Sequence, residues 1–295
     1  LLVALFAIAA LSLGFGYADN DAQIIWSIRA PRLTLTLLVG AGLAIAGVLL
    51  QGVFLNPLAA PSIVGVSASG AAGATVGAAL GLSFNSIPLA GVAALTASGA
   101  LLLVRALATT DKKVNSNAVL LGGIAMSFLA LAIVLVATPF IDRGAGRSFA
   151  FWANGSFALA TWNAVFTVVP FLVAGLVIVA LIARHLDPMS LGQQAATALG
   201  VSAARVATWA LMAVVLLVAP AVSVVGIVSF VGLVVPHATR QLIGPRHITL
   251  IPVSAIAGAL LVALADLIAR QVLAPIELPV GAITALIGAP VFLYL

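Results

Sequence analysis

The chain is 295 residues long, 64% hydrophobic and only 6% charged, with a mean hydropathy of +1.31. A soluble domain carries roughly a quarter charged residues, so these values exclude a water-soluble globule and describe a polytopic membrane protein. The net charge of +5 comes with no basic tail or aromatic-interleaved basic run, which argues against nucleic acid as a partner, and the absence of cysteine excludes disulfides, thiolate metal sites and thiol nucleophiles.

A spanning helix needs about 20 mostly apolar residues, and the apolar runs here are continuous instead of alternating with the period of two that marks a barrel. The pattern predicts an all-α fold in one transmembrane domain over 1–295. Its spans fall near 1–16, 33–51, 62–82, 87–106, 117–139, 163–183, 206–219, 223–242, 250–271 and 279–295.

The first run, Leu1 to Leu13, has no basic n-region and no small-residue cleavage site, so it reads as a span and not a signal peptide. The second opens on Arg29-Ala-Pro-Arg32 and closes on Gln51-Gly-Val-Phe-Leu-Asn-Pro-Leu-Ala-Ala-Pro61, which puts arginines at one end of a helix and a proline-punctuated turn at the other. The third carries Gly65, Ser69, Gly73, Gly77 and Gly81 at a spacing of four. Such a stripe serves close helix packing or lines a pathway. The loop Thr109-Thr110-Asp111-Lys112-Lys113 leads through Asn115, Ser116 and Asn117 into the fifth span.

The segment 140–162 is too polar at its start to span, and its Phe149, Phe151, Trp152 and Trp162 suit an interfacial helix at headgroup level. Residues 187–200 read as a short small-residue helix between two glycines, either a knob for another protein's groove or a connector. The seventh run stops at Pro220, so it and the eighth read equally as one broken helix. In the ninth, Arg270 follows Asp266 by one turn, and the two can neutralise each other as a structural pair. Glu277 stands in a turn between Pro275 and Pro279, as a solvated charge or a structural one. Gly281, Ala285 and Ala289 form a shorter stripe in the last span.

Ten spans put both termini on one side, together with Arg105, Lys112, Lys113, Arg184, Arg205, Arg240 and Arg246; Arg29, Arg32, Arg143, Arg147 and Arg270 fall opposite. The positive-inside rule makes the richer side cytoplasmic. Arg29, Arg32 and Arg270 then cluster at outer helix ends, where arginine either captures carboxylates of a partner protein or anchors in headgroups.

No phosphate-binding glycine loop precedes a lysine, His185, His237 and His247 are scattered with no ligand spacing, and no nucleophile–base pair or paired carboxylates stand in a plausible catalytic arrangement. Transport is left as the leading class. An ion-coupled secondary transporter would carry further mid-span carboxylates, and an assembly subunit would be dispensable for uptake.

The motifs Arg29-x-Pro-Arg32, Gly47-x-x-x-Gln51, Asn56-Pro-Leu-Ala-x-Pro61, Leu191-Gly192 to Leu199-Gly200, Gly226-x-x-x-Phe230-Val-Gly-Leu-Val-Val-Pro-His237-x-x-Arg240, Leu264-Ala-Asp-x-x-Ala-Arg270 and Glu277-Leu-Pro-x-Gly281 to Gly288-Ala-Pro290 cover nearly the whole chain. Together they resemble the FecCD-type permease subunits of type II ABC importers for ferric siderophores, haem and cobalamin. The resemblance implies a ten-helix subunit of the bacterial plasma (inner) membrane with both termini cytoplasmic. It pairs into a dimer, a homodimer as the first expectation and a heterodimer as the alternative, with two separate ATPase subunits that hold ATP and Mg, and it receives cargo from a substrate-binding protein. This chain itself would bind no cofactor or metal and catalyse nothing. Arg29, Arg32 and Arg270 would meet acidic residues of the binding protein. Leu191, Gly192, Ala195, Ala198, Leu199 and Gly200 would belong to the segment seated in the ATPase groove, and Gly65, Ser69, Gly73, Asn115, Ser116 and Asn117 to the path or its gate. The coupling segment departs from the family at Gly192-Gln193, where glutamate is common. A ferric siderophore is the first expectation for cargo, with haem or cobalamin as alternatives.

Overall fold

The structure, a computed structural model, describes residues 1–14, 21–110, 113–141 and 147–294; Asp111, Lys112 and Arg143 lie outside them. The described elements are α1 (Leu2–Gly14), α2 (Ala22–Ile24), a π turn (Ile25–Arg29), α3 (Ala30–Phe54), α4 (Val66–Ala79), α5 (Ile87–Leu107), β1 (Thr109–Thr110), β2 (Lys113–Val114), α6 (Ser116–Ala137), α7 (Phe149–Asn154), α8 (Trp162–Met189), α9 (Gln193–Ala198), α10 (Ala203–Val225), α11 (Val231–Ile243), α12 (His247–Gln271) and α13 (Val280–Tyr294). Among the described residues the regular structure is thus helical apart from one antiparallel hairpin that pairs Thr109 with Val114.

Six described helices are long and apolar enough to cross a bilayer, counting the continuous Ala22–Phe54 as one. The remaining expected spans are shorter helices: α1, α4, α11 and α13. Helix α4 is cut to 14 residues because Gly65, at φ +87°, starts it late and Leu80 caps it early. Gly65 and Gly81 therefore stand outside the helix, and the five-residue stripe reduces on α4 to Ser69, Gly73 and Gly77.

Helices α3 and α10 form the centre, with 72% and 78% of their most apolar stretches buried against 22% for α6, whose exposed leucines and Phe128 form a flank. Glycines set the central spacing. A Cβ on Gly40 would overlap the carbonyl of Gly258, and one on Gly47 the carbonyl of Gly232, so α3 meets α12 and α11 backbone to backbone. With no hydrophobic drive between helices in lipid, such close approach supplies the packing contact that holds them.

Two boundaries differ from the sequence pattern. Pro220 does not end a helix: α10 runs through it to Val225, because a proline inside a packed transmembrane helix frees few backbone groups and its neighbours satisfy them. The break comes at Gly226, with φ +75° and with the Phe151 carbonyl occupying the space a Cβ would need. Nor is α7 an aromatic belt. Trp152 is fully buried and Phe151 nearly so, since Trp152 O accepts from Ile227 N at 3.0 Å and Ser156 N donates to Val225 O at 2.8 Å, which stitches α7 under the end of α10.

Candidate functional site

Pro31 lacks an N–H, and its ring would press on the carbonyl four residues back in a regular helix. The chain answers with the π turn Ile25–Arg29, in which Ala30 N donates to Ile25 O, before α3 proceeds. Arg32 therefore sits in the first turn of α3, beside the last turns of the antiparallel α12.

Its guanidinium is held on two edges. Asp266 takes the side, accepting from Nε at 3.0 and 3.1 Å and from Nη2 at 2.9 Å. Glu277 takes the end, accepting from Nη1 at 2.9 Å and Nη2 at 3.0 Å. The Asp266 side chain is 5% exposed and that of Glu277 39%. Arg270 reaches Asp266 only at 3.9 Å and donates instead to Ser12 O at 2.9 Å. The expected Asp266–Arg270 pair is thus secondary. Asp266 belongs first to Arg32, because a side-on guanidinium from a facing helix offers two aligned donors and an i,i+4 neighbour here offers none in range.

Arg29 is buried and donates to Leu13 O at 2.7 Å. Together with Arg270 it covers the C-terminal turn of α1, whose carbonyls lack helical partners and carry the negative end of the helix dipole. The three arginines expected to dock a binding protein lie together at one end of the molecule, and each is engaged within the chain. Glu277 proves a structural charge. At the same end Trp162 Nε1 donates to Trp26 O at 2.9 Å, and Arg147 lies 4.1 Å over the Phe84 ring while Nη2 donates to Asn85 Oδ1 at 2.8 Å. Burial pushes the Arg147 guanidinium down to about 10.

The opposite end holds two contacts between residues far apart in sequence. Gln51 is buried, donates from Nε2 to Leu233 O at 3.3 Å and accepts from Arg240 Nη1 at 2.8 Å. Asp187 Oδ1 accepts from the backbone N–H of His247 at 2.8 Å and pairs with its Nδ1 at 2.7 Å. His247 is 3% exposed, and its Nε2 lies against Gly52. The sequence shows no carboxylate at ligand spacing from a histidine, and the pair the fold makes, Asp187 and His247, is 60 positions apart.

Just beyond Asp187 the segment expected to couple is a six-residue helix, α9, bracketed by Gly192 at φ +94° and Gly200 at φ +78°. Leu191 and Leu199, which flank the helix, and Ala198 within it are exposed, Ala195 is half-buried and Ala196 is fully buried, so the segment presents apolar side chains outward and is anchored through Ala196.

Asn115 caps α6, its Oδ1 accepting from Asn117 N at 3.0 Å and Ala118 N at 3.2 Å, and Ser116 Oγ donates to Phe54 O. A cavity of about 680 Å³ opens beside them, lined by Phe54, Arg105, Ser116, Met189 and Ala203 among others. Ser69 and Gly73 line a second, of about 400 Å³, between α4, α5 and α6. Gly73 also packs directly on Thr96, whose Oγ1 donates to Ser69 O at 3.0 Å, so these small residues both pack and border open space. Gly65 instead packs against Gly123 and Met126.

Comparison with known proteins places this geometry. The model of the FecCD transport family matches residues 3–295. The iron(3+)-hydroxamate import system permease FhuG of Bacillus subtilis is 38% identical, over 94% of this chain and 84% of its own length. The cobalamin import system permease BtuC of Halobacterium salinarum is 39% identical, over 97% and 76%. A solved metal-chelate-type ABC transporter in an inward-facing conformation superimposes with a TM-score of 0.85 at 33% identity, covering 99% of this chain and 95% of that one.

Proposed function

The chain belongs to the FecCD transport family, and from that premise we propose that it is the permease subunit of an ABC importer carrying an iron chelate, a ferric siderophore first. The observation that carries this reading is the extent of the match, residues 3–295, which takes in the arginine cluster at one end and the Asp187–Gly200 region at the other. Haem and cobalamin stand beside the siderophore, because relatives of 37–39% identity are named for a ferric hydroxamate, for cobalamin and for hemin.

In this reading the four shorter helices α1, α4, α11 and α13 complete ten spans with both termini cytoplasmic in the bacterial inner membrane. Two copies pair, two ATPase subunits supply the energy, and a substrate-binding protein docks at the end bearing Arg29, Arg32 and Arg270. The exposed apolar residues of the 187–200 segment, Leu191, Ala198 and Leu199, enter the ATPase groove. Asn115, Ser116 and Asn117 mark the gate, and Ser69 and Gly73 border the path. This chain holds no phosphate loop, so ATP and Mg belong to the partners.

The test is uptake into vesicles holding the permease with its ATPase, supplied with loaded binding protein. Ferric hydroxamate, hemin and cobalamin are compared, with ATP inside or with a proton gradient alone. Uptake of one chelate that requires both ATP and binding protein is expected; uptake driven by the gradient alone refutes the importer reading.

A further inference from the structure

The end of the Arg32 guanidinium is the face a partner's carboxylate would need, and in the isolated chain Glu277 fills it through paired contacts of 2.9 and 3.0 Å. We propose that Glu277 is an internal stand-in for that carboxylate: docking exchanges Glu277 for an acidic side chain of the binding protein, so that Glu277 sets how tightly the partner is held. This rests on the docking reading given above and adds to it the residue that competes.

Two features favour exchange over a static triad. The two carboxylates on Arg32 differ in access, Asp266 being 5% exposed and Glu277 39%, so the outer one can leave while the inner one keeps the guanidinium paired and oriented. The backbone around Glu277 is fixed independently of its side chain. Leu278 N donates to Ala269 O at 2.9 Å, Val280 N donates to Gly155 O at 3.1 Å, and Pro275 and Pro279 restrict the turn. Release therefore needs only side-chain rotation. Arginine's planar fork makes the incoming and outgoing contacts equivalent in geometry.

The test uses the assembled importer in nanodiscs and its purified binding protein, with affinity measured for wild type, Glu277→Gln, Arg32→Lys and the double variant, and with thermal melting as a check on folding. Glu277→Gln leaves Asp266 on Arg32 and spares docking the loss of a half-exposed ion pair, so affinity should rise about two- to fivefold. Lysine keeps the charge but loses the paired end-on contact, so the rise should vanish in the double variant. Affinity that stays level or falls in a folded Glu277→Gln protein overturns the exchange. So does an equal rise in the Arg32→Lys background, which would mark simple removal of a negative charge. Docking insensitive to Arg32→Lys, Arg29→Gln and Arg270→Gln alike refutes the docking reading itself, an outcome distinct from weakened docking in those variants with no gain in Glu277→Gln.

Discussion

Asp266→Asn separates the two possible partners of the buried carboxylate. In the native protein Asp266 accepts three contacts of 2.9 to 3.1 Å from Arg32 and stands 3.9 Å from Arg270. Asparagine removes the charge and turns one oxygen into an NH₂ group aimed at guanidinium N–H groups, so at most one oxygen still accepts. Breaking a buried pair from one side costs about 3–5 kcal/mol, and Glu277, still on Arg32, holds the loss near the lower bound. Arg270→Gln gives up one charge-assisted bond to Ser12 O and a contact too long to be a hydrogen bond, about 1.5 kcal/mol. A double-mutant cycle should then show a coupling of about 2 kcal/mol or more between Asp266→Asn and Arg32→Gln, and under about 0.5 kcal/mol between Asp266→Asn and Arg270→Gln. Denaturant unfolding of the purified permease in detergent measures both. A larger coupling to Arg270, or a neutral Asp266→Asn, would refute the assignment of Asp266 to Arg32.

Gly40→Ala should lower the melting temperature by the equivalent of about 1–3 kcal/mol, because its Cβ meets the Gly258 carbonyl; Gly91→Ala in α5, where nothing lies within 4 Å, should be neutral or stabilising. Asp187→Ala strands the backbone N–H and Nδ1 of buried His247 at about 1–3 kcal/mol per group, whereas Asp187→Asn keeps one acceptor and should recover part of the melting temperature. Ala198→Trp should leave the permease folded yet stop the binding protein from stimulating copurified ATPase, and Ala195→Trp should act the same way more weakly on folding grounds. Ala196→Trp, at a fully buried position, should fail already at folding, as size-exclusion chromatography would show.

The sequence displayed the parts of the site better than their pairing. Helix identity and the gathering of Arg29, Arg32, Arg270, Asp266 and Glu277 at one end follow from hydropathy and spacing, which are local. Partner choice is not local. The i,i+4 rule nominated Arg270 for Asp266, but the stronger partner lies 234 positions away on a facing helix. Asp187 and His247 were invisible for the same reason. Local signals also misled where burial overrides them: Phe151 and Trp152 look like headgroup aromatics until α7 is seen folded under α10, and Pro220 looks like a terminus until neighbouring helices satisfy the backbone around it. Gly226, whose φ of +75° excludes most side chains, was the better cue to the break.

The two ends of the molecule are joined by one mechanical element. Helices α3 and α12 run antiparallel, carrying Arg32 and Asp266 at one end and Gly52 and His247 at the other, with Gly40 and Gly258 in backbone contact between them. Backbone contact of this kind resists sliding, since moving either helix along the other would drive a carbonyl into a Cα, so the pair shifts as a unit if it shifts at all. His247 then carries that displacement to Asp187, four residues from Leu191 and the exposed face of α9. A ligand can bias such a unit only through contacts that differ between its two positions. The proposed exchange of Glu277 for a partner's carboxylate on Arg32 would be such a contact at one end, and the proposed fit of the 187–200 segment in an ATPase groove would be its counterpart at the other.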